Sequence, residues 1–207
     1  MTLMTQSSEL NNTISMIGAG GHAYCLYSCL SIEQKKKLTR VVSHHLPKFN
    51  VLTLLEWFTD ETSLIEKEQV HKFINGIGAN PSTTRRREIF NFYKSNGFSA
   101  ETVISKHAII SDDVVIGEGA QILPGAIINS GAIIGANSII NSGAIVEHGV
   151  HIASHCHVAP GAIILGDAVV GEGTFLGAGA VVFPGIRLGE NSCIAALARV
   201  NANAETK

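Results

Sequence analysis

Between Ile104 and Val200 every sixth residue is aliphatic, and no step is skipped or stretched. The series runs Ile104, Ile110, Ile116, Ile122, Ile128, Ile134, Ile140, Val146, Ile152, Val158, Ile164, Val170, Leu176, Val182, Leu188, Ile194 and Val200. Four residues after most of these comes a small or compact side chain, as at Ala108, Ala120, Ala126, Ala132, Ala144, Cys156, Ala162, Ala168 and Ala180. A period of six fits neither the 3.6-residue repeat of a helix nor the two-residue alternation of a hairpin strand. It fits a β-solenoid, whose short strands turn corners at fixed intervals. The aliphatic fills the interior and the small residue lets the backbone pass the corner. With three hexapeptides per turn the stretch makes about five coils, a prism roughly 25 Å tall at strand spacing.

The first hundred residues read differently. Met1 to Asn12 is polar and carries no apolar run, so a flexible terminus and a cytoplasmic protein without a secretion leader are expected. Thr13 to Ile17 reads as a buried strand, followed by Gly18-Ala19-Gly20-Gly21-His22-Ala23 and an apolar helical pattern from Tyr24 to Leu30. In that context glycines let the backbone approach a phosphate, and the helix N-terminus offers free N–H groups. Arg40 to Ser43 reads as a second strand. His44 and His45 stand where a dinucleotide site keeps an acidic ribose ligand, which disfavours ordinary NAD binding. Lys35, Lys36, Lys37 and Arg40 read as a solvated helix end. Leu52 to Thr59 reads as helical, with Trp57 and Phe58 in the core. Lys72 to Asn75 is a third strand, entering Gly76-Ile77-Gly78. Ser82 or Thr83 caps a helix bearing Arg85, Arg86 and Arg87, with Ile89, Phe90 and Phe92 on its apolar face. The alternation of strand and helix predicts a small parallel α/β sheet. The expected division is residues 1–12, 13–100 and 101–207.

The net charge of −2 gives no case for nucleic acid or an anionic membrane as partner. No apolar run reaches the roughly 18 residues of a membrane span. Cys25, Cys29, Cys156 and Cys193 lack the spacing of a disulfide framework, which suits a reducing compartment.

The solenoid pattern is interrupted once. Glu147-His148-Gly149-Val150-His151-Ile152-Ala153-Ser154-His155-Cys156-His157 holds four of the nine histidines. The register puts Cys156 inside, as core. It puts His148 at an outward corner, with His151, His155 and His157 also outside or at a subunit boundary. Imidazole, with an ordinary pKa near 6.5, takes protons at neutral pH, so general-base catalysis is one reading. A zinc site is the other.

Taken together, the Gly18–Ala23 turn, the Gly76–Gly78 turn and the element Asn141-Ser142-Gly143-Ala144-Ile145-Val146-Glu147-His148 resemble the sialic acid O-acetyltransferase and nucleotide-4-amino-sugar N-acetyltransferase family, which includes the bacillosamine and perosamine acetyltransferases. The resemblance runs over roughly residues 13–200. It implies a small Rossmann-like domain followed by a left-handed parallel β-helix, a homotrimer with active sites between subunits, and a part in surface-polysaccharide synthesis. It implies acetyl-CoA as co-substrate, no metal, and direct attack by a sugar amine on the thioester. By position His148 matches the general base and Glu147 its acidic neighbour. His157 matches a histidine near the acetyl carbonyl, which it or a backbone N–H would polarise, and Asn141 an asparagine of that pocket. Gly166, Gly177 and Ala178 match places where the pantetheine arm nears the backbone. Gly18, Ala19, Gly20, Gly21 and His22 match the loop that grips the nucleotide-sugar. Two rivals remain: O-acetylation of a sialic-acid-like sugar, and a zinc enzyme resembling the γ-class carbonic anhydrases. The same-chain zinc ligands of the latter are five residues apart, a spacing absent from this cluster.

Overall fold

The computed structural model describes residues 13–67, 72–79 and 81–203, without the side chains of Glu66 and Lys67. The expected flexible terminus lies outside the described residues. The chain divides into two compact units, one of residues up to Gly78 with Glu88–Glu101, the other of Ala79–Arg87 with residues from Thr102 onward.

The first unit is built on β1 (Ile14–Ile17), β2 (Leu38–Val42), β3 (Glu56–Phe58), β4 (Lys72–Asn75) and β5 (Ser99–Ala100). They form one parallel sheet in the order β3-β2-β1-β4-β5. Helices α1 (Gly21–Cys29), α2 (Ile32–Lys37), α3 (Asn50–Thr53), α4 (Glu61–Lys67) and α5 (Thr84–Ser95) connect the strands. Ile14, Met16, Val41, Phe73 and Ile74 are sealed from solvent, and Phe73, Phe90, Tyr93 and Phe98 pack ring against ring. Ser31 opens α2 with a reciprocal capping box to Gln34. The expected helix over Leu52–Thr59 is corrected: α3 ends at Thr53, and Glu56–Phe58 is an edge strand on β2. Phe58 is core, but Trp57 is 41% exposed and donates its indole N–H to Ser43 O. Pairing with an existing sheet edge settled what two adjacent aromatics left ambiguous.

The second unit is a left-handed parallel β-helix. Among the described residues, two-residue strands from Val103–Ile104 to Arg199–Val200 stack into three sheets of six, six and five strands. The first face carries Gln121–Ile122, Ile139–Ile140, His157–Val158, Phe175–Leu176 and Cys193–Ile194. The second carries Ile127–Ile128, Ile145–Val146, Ile163–Ile164 and Val181–Val182. The third carries Ile133–Ile134, His151–Ile152 and Val169–Val170. From Ile122 to Leu188 the six-residue series points inward with Ala120, Ala126, Cys156, Ala162 and Ala168, and makes one continuous core. Each such aliphatic contributes about 1.5–3 kcal/mol by leaving water. At the start of the series Ile104 remains 43% exposed.

Every sixth residue from Gly119 to Leu197 has positive φ and turns a corner. Glycine takes most of these places because a Cβ is disfavoured there. Asn137, His155, Asp167, Asn191 and Leu197 take the rest.

Candidate active site

The second face hands the chain to the third through corners at Asn129–Ala132, Glu147–Val150 and Leu165–Ala168. His148 stands on the middle corner, exposed, and its ring makes no hydrogen bond among the described residues. The ring lies over the backbone of Gly166, one coil on. A Cβ built on Gly166 would fall 2.6 Å from both Cε1 and Nε2 of His148. The space that the missing side chain leaves is therefore filled by the imidazole. Glu147 accepts from Asn129 Nδ2 at 2.9 Å, so within the chain its carboxylate is held by the preceding coil and not by His148. Gly149 is the positive-φ corner residue, φ 66°, and Asp167 closes over it.

His157 occupies the opposite environment. It projects from the first face but is only 6% exposed. Nδ1 lies 3.0 Å from Ala79 O and Nε2 3.0 Å from Asn141 Nδ2, while Phe175 packs edge-on at 5.2 Å. Burial, then repulsion from Arg86, pushes the ring down to about 4, so it is neutral at physiological pH. His155 is also buried, in a positive-φ corner with Nδ1 2.9 Å from Asn137 Nδ2. Neither belongs to the solenoid core, as the register has it, but both rings are covered and not exposed. Two nearby side chains are bonded against the solenoid here: Thr83 Oγ1 donates to Gly173 O and the buried Arg86 donates Nε–H to Asn137 O. His151 is exposed as expected. Cys156 is core, and burial raises its thiol to about 12, far from nucleophilic.

His157 lines a cavity of ≈ 510 Å³ whose walls include Phe175, Gly177, Ala178, Cys193 and Pro160. Its wall is mostly apolar, with His157 supplying a polar group and Asn141 hydrogen-bonded to that ring, which suits an organic ligand. Three of the expected co-substrate residues, His157, Gly177 and Ala178, line this one groove, and a fourth, Asn141, is hydrogen-bonded to His157. Gly166 does not, since it lies under His148 at a different prism edge. Gly177 is also required by packing, because a Cβ there would lie 2.4 Å from Ala196 N. Among the described residues no three His, Cys, Asp or Glu side chains converge as a metal site would require.

Repeats of the bacterial transferase hexapeptide family match residues 107–141, and the hexapeptide repeat of succinyl-transferase matches residues 168–196. Comparison with curated proteins gives no match. Among solved structures, PerB from Caulobacter crescentus in complex with CoA and GDP-perosamine is 27% identical with TM-score 0.82, over 94% of this chain and 91% of that one. A histidine-to-alanine variant of GDP-perosamine N-acetyl transferase from Caulobacter crescentus, with the same two ligands, is 28% identical with TM-score 0.81, over 93% and 90%. The acetyltransferase domain of PglB from Neisseria gonorrhoeae is 22% identical with TM-score 0.79, over 94% and 93%, and shares the fold. The chain is a hexapeptide-repeat acetyltransferase, and it is similar over nearly its whole length to nucleotide-amino-sugar acetyltransferases.

In this acetyltransferase the first unit presents a second candidate surface. Gly18 has φ 97°, and its Cβ would sit 2.8 Å from Ile77 Cδ1, so only glycine fits the turn. Gly20 caps α1, and at Gly20 and Gly21 nothing lies within 4 Å of an added Cβ. The helix N-terminus is therefore open where β1 ends. In the strand order, β1 and β4 flank the point where the chain reverses direction across the sheet, the place where open α/β sheets take ligands. Ala19 is buried beneath the turn, and His22 packs by Gly78. No described helix is long and apolar enough to cross a membrane.

Proposed function

We propose that the protein moves the acetyl group of acetyl-CoA to the amine of a nucleotide-linked 4-amino sugar. The observation that carries this is the His148 imidazole, without a hydrogen bond among the described residues and exposed on a corner that Gly166 clears for it. CoA lies in the groove that ends at His157, and the Gly18–His22 loop at the start of α1 holds the nucleotide diphosphate. The sugar nitrogen attacks the thioester carbon, the C–S bond breaks, and His148 takes the amine proton and returns one to the leaving thiolate. The transfer is direct, and Cys156, sealed in the core, is not placed to carry the acetyl group.

The active form is a homotrimer. His148 sits between the second and third faces, whereas the groove runs along the first face and the corner beyond it. A base and a co-substrate on different edges of one prism meet when a second copy packs alongside. The outward residues Ile109, Val115 and Ile133, all exposed in the single chain, give those faces an apolar surface to bury.

The test is turnover of purified protein with acetyl-CoA and a panel of nucleotide-linked 4-amino sugars and sialic acid, read by product mass. Acetylation of an amino sugar, lost in His148→Ala, is expected. Product on sialic acid alone would replace the amine by a hydroxyl acceptor. Sedimentation equilibrium checks the trimer, and a monomer that turns over would end that part of the reading.

A further inference from the structure

Three hydrogen bonds settle every donor and acceptor around His157. Ser142 N–H donates to Asn141 Oδ1 at 2.8 Å, so the amide's nitrogen, not its oxygen, faces the ring. Ala79 O is a carbonyl and only accepts, so the ring proton is on Nδ1. Nε2 is then the acceptor for one N–H of Asn141. The histidine that lines the co-substrate groove thus has its only proton committed to the backbone of Ala79. It has none at Nε2 to give to a ligand.

An amide nitrogen carries two hydrogens. Asn141 Nδ2 gives one to His157, and no described residue takes the other. We propose that this second N–H of Asn141 is the side-chain donor to the thioester carbonyl oxygen, and that His157 is a positioning residue that aims it. The assignment rests on the acetyl-transfer reading above. As the amine nitrogen bonds to the carbonyl carbon, the carbonyl π pair moves to oxygen, where a preformed donor stabilises it. When the C–S bond breaks, that pair re-forms C=O and sulfur leaves with the bonding electrons. An amide suits the task because it keeps its protons at every working pH. The lock on its orientation begins at the Ala79 carbonyl, a few residues before Thr83 and Arg86, which bond to the solenoid.

The experiment has a spectroscopic and a kinetic arm on the full chain. In nitrogen-15 histidine NMR at about pH 7, His157 should be the neutral Nδ1–H tautomer. An Nε2–H tautomer or an imidazolium overturns the proposal. Asn141→Asp presents only acceptors to Nε2, so His157 should take up a second proton in that variant. Its kcat should fall ~10²–10³-fold, the cost of one carbonyl-oxygen donor, while KM for acetyl-CoA moves by less than about threefold. His157→Gln can accept from Asn141 and donate to Ala79, so it should retain about tenfold more kcat than His157→Phe. Near-normal kcat in Asn141→Asp, or equal losses in Gln and Phe, overturns the assignment. A wild-type chain that acetylates nothing in the panel overturns the underlying reading instead, whereas a wrong tautomer in an active enzyme overturns the donor assignment alone.

Discussion

His148 and His157 lie in the same solenoid, half a coil apart, and do opposite chemistry. One stands in water on a corner, with no bond to its ring nitrogens among the described residues. The other is enclosed, with both nitrogens bonded and its basicity suppressed. Register assigns a side chain to a corner or a face. It does not say whether that face is covered, and cover decides whether an imidazole can exchange protons.

The largest effect that could break this contrast is on rate. His148→Ala should lower kcat ~10²–10⁴-fold without moving the thermal midpoint, since the ring covers no core. A comparable loss of stability would make His148 structural. The next effect is on stability and belongs to His157. Its folded pKa is depressed from 6.5 to about 4, so the unfolded chain binds the proton more readily. Its contribution is full above pH 6.5 and lost as pH falls toward about 4, by up to ~3 kcal/mol. His155, lowered by burial as well, adds with the same sign. Urea midpoints at about pH 7.5 and about pH 4.5 should show the drop, and His157→Gln should flatten it. Smaller still is the cost of moving the exposed ring. Gly166 has no positive φ, so Gly166→Ala suits the backbone, but its methyl takes the place of the imidazole. A loss of roughly tenfold in kcat at unchanged stability is expected, and full activity would show that the seat does not matter. The smallest concerns the inward neighbour of both histidines. Cys156→Ala should cost about 1 kcal/mol of stability and keep turnover within about twofold, measured by denaturation and by the same assay. A dead Cys156→Ala enzyme would reopen an acyl-thiol route.

The inward series was legible because six residues bring the chain to the same point on each successive face, and so were the interior place of Cys156 and the corner place of His148. The burial of His155, His157 and Arg86 was not. Ala79, bonded to His157, lies 78 positions from it, and Arg86 is bonded to Asn137 across 51, and no periodicity links them. The resemblance sets Glu147 beside His148, and the hydrogen bond of its carboxylate within the chain is to Asn129, one coil back. In the first unit the glycine turn announced itself, but β3 did not. Its two aromatics carry no period, and only the free edge of β2 made them a strand.

The eighteen-residue stride between stacked partners, as from Asn129 to Glu147, also limits how such a chain can change length. A gain or loss of one whole coil leaves each later side chain on its own face. A change of one hexapeptide keeps the core intact yet turns everything beyond it by a third of a revolution, so a downstream base would arrive on the wrong edge of a sound protein. Growth in this lineage is quantised twice, by six for folding and by eighteen for keeping an active site.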